Sequence, residues 1–338
     1  MTVKVKNLTV NIIRKDKGIA LIIVLWIMTL LIVITFAFSV KVRTEVFSTI
    51  TFKEQLENKY LAQAGMNRAV LEMFYRSTYK NNQLNLEGAE VYSADGTFYQ
   101  GQTGDGYYQF ACMDETGKIN INMLTDATAA ILNNLLLNLG MEENQADDIV
   151  DSILDWKDGD DLHRLHGAED DYYLSLSQPY KAKNANFDTL EELLLVKGIT
   201  RDILYGGSSK PGLIKYLTLY TSSVQININT ACVDVLKAIP SMTDDMIKSI
   251  ISYREADNTK KDGSGLQSVF TAADYAKIAP FVTTADSNVY SIEAIGYKSR
   301  TGSQYAIRTV VRIEGEDRYK ILYYQNPAYV EMPKNEQL

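Results

Sequence analysis

Residues 19–40 have the sequence IALIIVLWIMTLLIVITFAFSV, a run of 22 residues without a charged side chain. As an α-helix this run would extend about 33 Å, enough to cross the ~30 Å hydrocarbon core of a bilayer. Two basic residues, Lys41 and Arg43, follow it, and five precede it: Lys4, Lys6, Arg14, Lys15 and Lys17. The larger basic cluster predicts a cytoplasmic N-terminus, with the bulk of the chain on the other side of the membrane.

A cleaved secretory signal peptide is the alternative interpretation of this run, because Ala37-Phe38-Ser39 imitates a cleavage site. The apolar region of a signal peptide normally spans roughly 7–15 residues, and this run is longer. We therefore predict a retained transmembrane helix over residues 19–41.

The helical pattern continues beyond the apolar run. No Gly or Pro occurs from Ile19 to Ala64, and residues 52–76 (FKEQLENKYLAQAGMNRAVLEMFYR) are amphipathic. Their apolar side chains recur close to the helical period, at Leu56, Tyr60, Ala64, Met66, Val70, Met73 and Phe74. One helix is predicted, half in lipid and half amphipathic, ending near Arg76. Its outer half needs a globular domain to pack against.

Strand patterns lie on either side of a long helical segment. Residues 107–122 (YYQFACMDETGKININ) predict a strand, a turn at 115–117 and a second strand. Residues 124–278 are mainly helical in pattern, and strands follow at 289–295, 304–313 and 319–324. The fold class is therefore α+β, with an antiparallel sheet interrupted by a large helical domain.

An internal repeat lies in the helical segment. Lys118-Ile119-Asn120-Ile121-Asn122 recurs as Gln225-Ile226-Asn227-Ile228-Asn229, and a helical pattern follows each copy. Two similar helical lobes are predicted.

Two hairpins in this segment resemble helix-hairpin-helix motifs. Val196-Lys197-Gly198-Ile199 follows a capping-box-like pair, Asp188 with Glu191, and Ile239-Pro240-Ser241-Met242 has Ser where the first has Gly. DNA binding is one interpretation, because the Gly N–H of such hairpins contacts phosphate. Packing within a helical module is the other. A net charge of −8 opposes binding to nucleic acid, so we favour packing.

Twelve acidic residues and only two bases, Lys157 and Arg164, lie between Glu142 and Asp171. So many carboxylates in a short segment repel one another unless a cation neutralises them. Ca²⁺, which takes roughly 6–8 oxygen ligands in irregular geometry, is the natural partner. The loop is not an EF-hand, since Leu162 and His163 stand where an Asp or Asn and the Gly belong. A solvated acidic loop is the alternative.

The only two histidines, His163 and His166, lie in the same loop. An H-x-x-H pair beside acids is compatible with a zinc hydrolase, but the HExxH pattern and an obvious third ligand are both missing. No P-loop, serine nucleophile elbow or dinucleotide motif occurs. The two cysteines, Cys112 and Cys232, form no disulfide framework. We predict that the chain is not an enzyme.

The N-terminus resembles a type IV prepilin, with a short basic leader, Gly18 and a hydrophobic helix directly after it. The resemblance implies cleavage between Gly18 and Ile19 by a prepilin peptidase and methylation of Ile19. Loss of the leader would take the net charge from −8 to −12. The Glu usual at the fifth mature position is replaced by Ile23. In most pilins that carboxylate neutralises the N-terminal amine of the subunit above, within the membrane.

Together with the stretch from Asp151 to Thr200, these features resemble the K-type minor pseudopilin of the type II secretion system. The resemblance implies a leader (1–18), a transmembrane helix (19–41), a pseudopilin core (42–118 and 279–338) and an inserted α-domain (119–278) with an acidic loop (151–171). It also implies that the loop holds structural Ca²⁺, with Asp155, Asp158, Asp160, Glu169 and Asp170 as candidate ligands.

The same resemblance predicts function and location. It implies a single-pass inner-membrane protein with its bulk in the periplasm, located at the tip of a pseudopilus that exports folded proteins across the outer membrane. The implied partners are minor pseudopilins of types I and J, the major pseudopilin, the prepilin peptidase and the inner-membrane secretion platform. A membrane-tethered periplasmic DNA-binding protein and a membrane metalloenzyme are the alternatives.

Overall fold

The computed structural model describes residues 16–79, 92–207, 210–256, 269–285, 287–299, 302–315, 317–328 and 330. They form two units, divided between Glu57 and Asn58. Helix α1 (Asp16–Tyr79, 64 residues) supplies every described residue of the first unit. Its end agrees with the prediction to within a turn. It begins two residues before Gly18 rather than after it, since a single Gly costs a helix only about 1 kcal/mol.

The first unit is apolar and exposed. The side chains of Ile19 to Val40 are exposed along the whole run. Among the described helices, the segment Ile19–Ser77 is the one long and apolar enough to cross a membrane by length and composition. A bilayer would cover these side chains, as the sequence predicts for a membrane anchor.

Within the second unit, helix α1 buries a narrow stripe of side chains at helical spacing. The stripe comprises Leu61, Ala62, Met66, Ala69, Val70 and Met73. The predicted stripe is wrong at its start, because Leu56 is 40 % exposed and Tyr60 62 % exposed. The burying face begins at Asn58, whose Nδ2 donates to the backbone oxygen of Ser303 over 2.7 Å.

Five antiparallel strands form the main sheet, in the order β1-β2-β7-β8-β9. Their bounds are β1 (Asp95–Thr103), β2 (Gly106–Asp114), β7 (Val289–Tyr297), β8 (Gln304–Glu314) and β9 (Arg318–Gln325). The three C-terminal strands are confirmed, each extended by one or two residues. Strand β1 was not predicted, because its sequence DGTFYQGQT contains few of the β-branched residues that strands favour.

Helix α1 and strand β7 approach each other backbone to backbone at Gly296. A Cβ at this position would lie 2.1 Å from the backbone oxygen of Asn58 and 2.3 Å from the amide nitrogen of Ala62. Only glycine is compatible with such a close approach. Around it, α1 and the sheet share a core that includes Met73, Phe110 and Ile292.

The second strand predicted in residues 107–122 does not pair with β2. Residues Glu115–Gly117 form a 3₁₀ turn, and β3 (Ile119–Asn120) pairs in parallel with β4 (Leu217–Thr218). The turn carries the chain away from the sheet and into the helical segment. An equivalent short parallel pair joins β5 (Ile226–Asn227) to β6 (Val282–Thr283).

The helical segment has its own hydrophobic core, which extends from Ile119 to Val282. Short 3₁₀ segments (Ile121–Met123, Leu190–Leu195, Leu213–Lys215) accompany seven described helices: α2 (Ala130–Asn138), α3 (Glu143–Lys157), α4 (Asp170–Leu174), α5 (Arg201–Tyr205), α6 (Val233–Ala238), α7 (Asp244–Ala256) and α8 (Ala272–Ile278). Helix α3 buries Ile149, Ile153 and Trp156 on one face. Its opposite face presents acids, as the amphipathic pattern requires.

The internal repeat is visible as two equivalent clasps. The buried Asn120 accepts from the amide of Asn122 (2.9 Å) and donates to the backbone oxygen of Thr221 (2.7 Å). In the second copy, Asn227 accepts from the amide of Asn229 (2.9 Å) and donates to the oxygen of Ala285 (3.1 Å). Each Asn therefore ties the beginning of its lobe to the end of it.

The two hairpins share one backbone conformation. Gly198 has φ = 84° and Ser241 has φ = 65°, both in the left-handed region. Each hairpin is closed by one backbone hydrogen bond. The amide of Ile199 donates to the carbonyl oxygen of Val196 (3.2 Å), and the amide of Met242 donates to that of Ile239 (3.1 Å). The predicted capping box is displaced by one residue, since Thr189 with Glu192 forms it instead of Asp188 with Glu191.

Both connections between the sheet and the helical segment meet at the buried Asp114. Its carboxylate accepts from the amide and hydroxyl of Thr116 (2.8 and 2.6 Å) and from the hydroxyl of Ser287 (2.8 Å). Next to it, the buried Glu115 accepts from Lys118 Nζ (2.5 Å). Cys112, two residues before Asp114 in β2, and Cys232 are free thiols.

Substitution Ser241→Gly should stabilise the protein by about 0.5–1 kcal/mol, because the left-handed cost for a residue with a Cβ exceeds the added entropy of glycine in the unfolded chain. Gly198→Ala should destabilise it, since its Cβ would also lie 2.9 Å from Ile149 Cγ1. Urea unfolding of the detergent-solubilised chain measures both. Ser222→Gly, at an exposed bend without positive φ, is the control and should lose a few tenths of a kcal/mol. A loss of stability in Ser241→Gly would contradict the shared hairpin.

Candidate metal centre

The acidic loop connects the end of helix α3 at Lys157 to the start of α4 at Asp170. Helix α3 places Asp155 in its last turn on the buried side, where the carboxylate is fully shielded from solvent. A buried charge is stable only when it is paired or coordinates a metal. The partner of Asp155 is therefore the first feature that defines this site.

Arg164 is that partner. Its guanidinium Nη1 donates to Asp155 Oδ1 and Asp158 Oδ2, both over 2.6 Å, and its Nε donates to Asp126 Oδ1 over 2.9 Å. The backbone amide of Arg164 also donates to the Asp155 carboxylate (3.1 Å). One guanidinium thus bridges three carboxylates, the role that the sequence had suggested for a metal ion alone.

Glycine 167 is required beside this pair. A Cβ at Gly167 would lie 1.7 Å from Asp155 Oδ2 and 3.0 Å from the amide nitrogen of Arg164. Its amide donates to the carbonyl of Arg164 (3.1 Å), which closes the loop into a tight turn. Asp151 accepts from the amide of His166 (3.0 Å) and fixes the same turn from the helix side.

Glu169 is the uncompensated charge of the site. It is 2 % exposed, and neither carboxylate oxygen accepts a hydrogen bond from a described residue. Burial, with added repulsion from Asp155, Asp158, Asp161 and Asp160, raises its pKa to about 7. Asp158 Oδ1 is likewise buried without a partner. Buried carboxylate oxygens in this state are the donor set that a hard divalent cation satisfies.

The five predicted ligands divide into two groups. Asp155, Asp158, Asp160 and Glu169 form one group, in that the charges of the three aspartates help to raise the pKa of Glu169, and Asp160 also accepts from the amide of Leu162 (2.9 Å). Asp170 lies apart, since it accepts from Lys181 Nζ (2.7 Å) and from the amide of Ala182 (2.9 Å). In the described part of the chain, no three acidic, histidine or cysteine groups converge into a ready-made metal cage.

The histidines take separate positions at the loop surface. His163 is exposed, with Nδ1 3.0 Å from the carbonyl oxygen of Arg164. His166 Nδ1 is 3.7 Å from Asp148 Oδ1. Neither belongs to a three-group metal cluster within the residues that the structure describes.

Lys197, the basic residue of the first hairpin, makes its hydrogen bonds within the chain. Lys197 Nζ donates to the carbonyl oxygen of His166 (2.9 Å) and lies 3.4 Å from Asp148 Oδ1. The hydrogen bonds hold this lysine against the acidic loop, where a helix-hairpin-helix DNA-binding protein would direct it to phosphate. This arrangement favours packing as the role of the hairpin.

The second candidate surface lies on helix α1. Ile23, at the position where most pilins have Glu, is exposed within the apolar run. Further along, within the second unit, an exposed apolar stripe comprises Tyr60 and Leu71, on the side of the helix away from its buried stripe. Gly18 and Ile19, the predicted processing residues, are helical here.

Residues 117–205, which contain the whole acidic loop, match the family described as Type II secretion system (T2SS), protein K. Over 231 residues the chain is 29 % identical to the putative type II secretion system protein K of Escherichia coli K12. This alignment covers 64 % of this chain and 66 % of that protein. The type II secretion system protein K of Pseudomonas aeruginosa is 24 % identical over 71 % of this chain and 73 % of that one. The first of these matches spans slightly less than two thirds of its relative.

A solved structure has the same fold. A chain in the crystal structure of the GspK-GspI-GspJ complex from the enterotoxigenic Escherichia coli type 2 secretion system superposes with a TM-score of 0.57 at 18 % identity. The superposition covers 84 % of this chain and 100 % of that one. The α+β architecture predicted from the sequence is therefore confirmed.

The pH dependence of stability should report on Glu169. Its pKa is higher in the folded chain than the ordinary 4.5, so its stabilising contribution is complete below pH 4.5 and is lost as the pH rises through about 7. Glu169→Gln should therefore unfold at higher urea than the parent at pH 8, by on the order of 2 kcal/mol, and show a smaller difference at pH 5. Both proteins are measured in EDTA. A difference that does not change between the two pH values would contradict the raised pKa.

Proposed function

We propose that the chain is a pseudopilin of the type II secretion system protein K family, as its similarity to proteins of that name supports, and that it is the minor pseudopilin at the tip of the pseudopilus. Helix α1 anchors it in the inner membrane, and the second unit lies in the periplasm. A prepilin peptidase cuts between Gly18 and Ile19, so that the mature chain begins with the apolar run. The role is structural: the subunit starts or caps a filament that exports folded proteins.

The single observation that carries the tip assignment is Ile23 on the exposed face of an apolar helix. A subunit beneath another copy needs a carboxylate there to neutralise an amine in the membrane, where an unpaired charge is costly. From Ile19 to Val40 this helix has no acid at all. A subunit with no neighbour above has no such amine to neutralise.

The helical segment supports the same position. Its core extends over more than 160 residues, from Ile119 to Val282, beyond the sheet that packs on α1. Subunits along a thin fibre of side-by-side helices follow one another at short intervals, which leaves no space for such a segment on every one. We therefore infer one copy in each filament.

The proposed partners are minor pseudopilins of types I and J, by likeness to the GspK-GspI-GspJ complex. The exposed stripe of Tyr60 and Leu71 provides an apolar helix face of the kind that packs against a second helix. We propose it as the part of residues 52–76 that makes the contact, because Met66, Val70 and Met73 are buried in the chain's own core. The major pseudopilin and the secretion platform are further partners in the proposal.

The mature chain should form a 1:1:1 complex with I-type and J-type minor pseudopilins and no filament of its own. Tyr60→Glu with Leu71→Glu should weaken the complex by about tenfold or more, since both side chains are expected to be buried in it. Ile23→Glu should be tolerated or mildly harmful, because its carboxylate lacks an amine to pair with at the tip. Size-exclusion chromatography with light scattering in detergent measures the complex.

Gln178→Glu, at an exposed site in the helical segment, is the matched control and should leave the complex intact. Unchanged melting temperatures exclude misfolding as the cause of any loss. Electron microscopy that finds the chain distributed along the filament, or forming filaments alone, would contradict the tip assignment while leaving the pseudopilin role in place.

We also propose that the acidic loop binds Ca²⁺ beside Glu169. The residues fit the ion, because Glu169 supplies two buried oxygens without partners and Asp158 a third. Asp160 and Asp155 are close enough for their charges to raise the pKa of Glu169, and they are the further ligand candidates. A bound cation supplies the charge that Arg164 only partly provides. Asp170, held by Lys181, orients the start of α4 rather than reaching the ion.

Calcium should raise the free energy of unfolding, by about 2.7 kcal/mol at a hundred times its Kd. Asp158→Ala with Glu169→Ala should abolish the difference between calcium and EGTA in thermal melting of the full chain. Asp244→Ala with Asp245→Ala removes two acids from the exposed start of α7 and should leave the calcium difference unchanged. The absence of a calcium-dependent shift in the unmutated chain would refute the site.

A further inference from the structure

Two leucines of the acidic loop point into solvent. Leu162 is 79 % exposed and Leu165 is 88 % exposed. Arg164, between them in the sequence, directs its guanidinium inward to Asp155, Asp158 and Asp126. The inward arginine and the outward leucines are consequences of the same turn. We call the pair the leucine knob, defined as Leu162 and Leu165.

The backbone of the leucine knob is fixed by hydrogen bonds. The amide of Leu162 donates to Asp160 Oδ1 (2.9 Å), and the amide of His166, next to Leu165, donates to Asp151 Oδ2 (3.0 Å). Asn184 Nδ2 donates to Asp161 Oδ1 (3.1 Å) from the opposite side. A loop held in this way loses little conformational entropy when it binds, which favours affinity.

The surroundings of the leucine knob are acidic. Asp160, Asp161 and Asp171 are exposed nearby in the loop. The described bases here are already engaged: Arg164 with three carboxylates, Lys157 with the backbone oxygens of Asn122 and Leu124, and the exposed Lys181 with Asp170. The outward-facing charge around the two leucines is therefore negative. An interface with this pattern has an apolar centre and a negative rim.

We propose that the leucine knob docks into an apolar pocket of a partner protein whose rim carries lysine or arginine side chains. The two leucines supply the buried anchors, and the exposed aspartates supply orientation and association rate. The negative rim disfavours an anionic lipid surface, which repels carboxylates. It also disfavours a second copy of this chain through the same face, because two acidic rims would meet.

The experiment uses the full chain in its native membrane, with a photo-activated phenylalanine analogue at position 165. Position 174 carries the analogue as the matched control, since Leu174 is also exposed but lies beyond the loop, at the end of α4. The protein joined at 165 is identified by mass spectrometry, purified, and titrated against the detergent-solubilised chain. Vesicles containing anionic phospholipid are titrated in parallel.

The expected result is one protein joined at position 165 and not at 174. Its binding should fall by about tenfold or more with Leu162→Ser and Leu165→Ser, weaken with salt, and weaken again with Asp171→Lys, which leaves the hydrogen bonds of Asp160 and Asp161 in place. Melting temperatures of the variants check that they fold. The proposal is overturned if position 165 yields no product beyond that at 174, if it joins only copies of this chain, if binding survives loss of both leucines, or if the vesicles bind in a leucine-dependent way. These outcomes are independent of the tip assignment, which rests on helix α1.

Discussion

The contact between helix α1 and strand β7 at Gly296 controls how the rest of the second unit is built. The two backbones approach so closely that a methyl group would overlap both Asn58 and Ala62. This contact fixes which face of α1 is buried, and the sheet, the stripe from Leu61 to Met73 and the exposed stripe follow from it. Within this unit the same contact leaves Tyr60 and Leu71 of α1 exposed.

The acidic loop illustrates how a buried charge organises local structure. Asp155 is buried because α3 must direct Ile153 and Trp156 inward, and a carboxylate in that position needs a cation. Arg164 provides one, and in doing so bends the loop through Gly167. The arginine leaves Glu169 without a partner, so the site is only partly neutralised. This incomplete compensation accounts for the raised pKa of Glu169 and makes the loop receptive to a divalent ion.

Much of this organisation could be predicted from the sequence, because it depends on patterns within short segments. The apolar run, the three C-terminal strands and the positions of the two hairpins were all predicted from local signals. Strand β1 was missed, since it is stabilised by pairing with β2 rather than by its own composition. The wrong partner for β3 has the same origin: residues 217–218 lie about a hundred positions away, and nothing local specifies a parallel pair. In the site, the number of acids was evident, but the role of Arg164 was not. Because Arg164 is one of only two bases among twelve acids, its pairing with a buried carboxylate could have been predicted from the sequence.

The hydrogen bonds of Asp114 with Thr116 and Ser287 mark where the chain leaves the main sheet and returns to it. Strands β2 and β7 are direct neighbours, with Asp114 paired to Tyr290, so the chain leaves and re-enters the sheet at adjacent positions. Residues 115–288 therefore occupy the place of an ordinary hairpin turn. A coding sequence inserted or expanded at that turn changes no strand register and no contact with α1. The segment closes on itself through Asn120 and Asn227, so α1 and the main sheet keep the form of a helix packed on a plain antiparallel sheet.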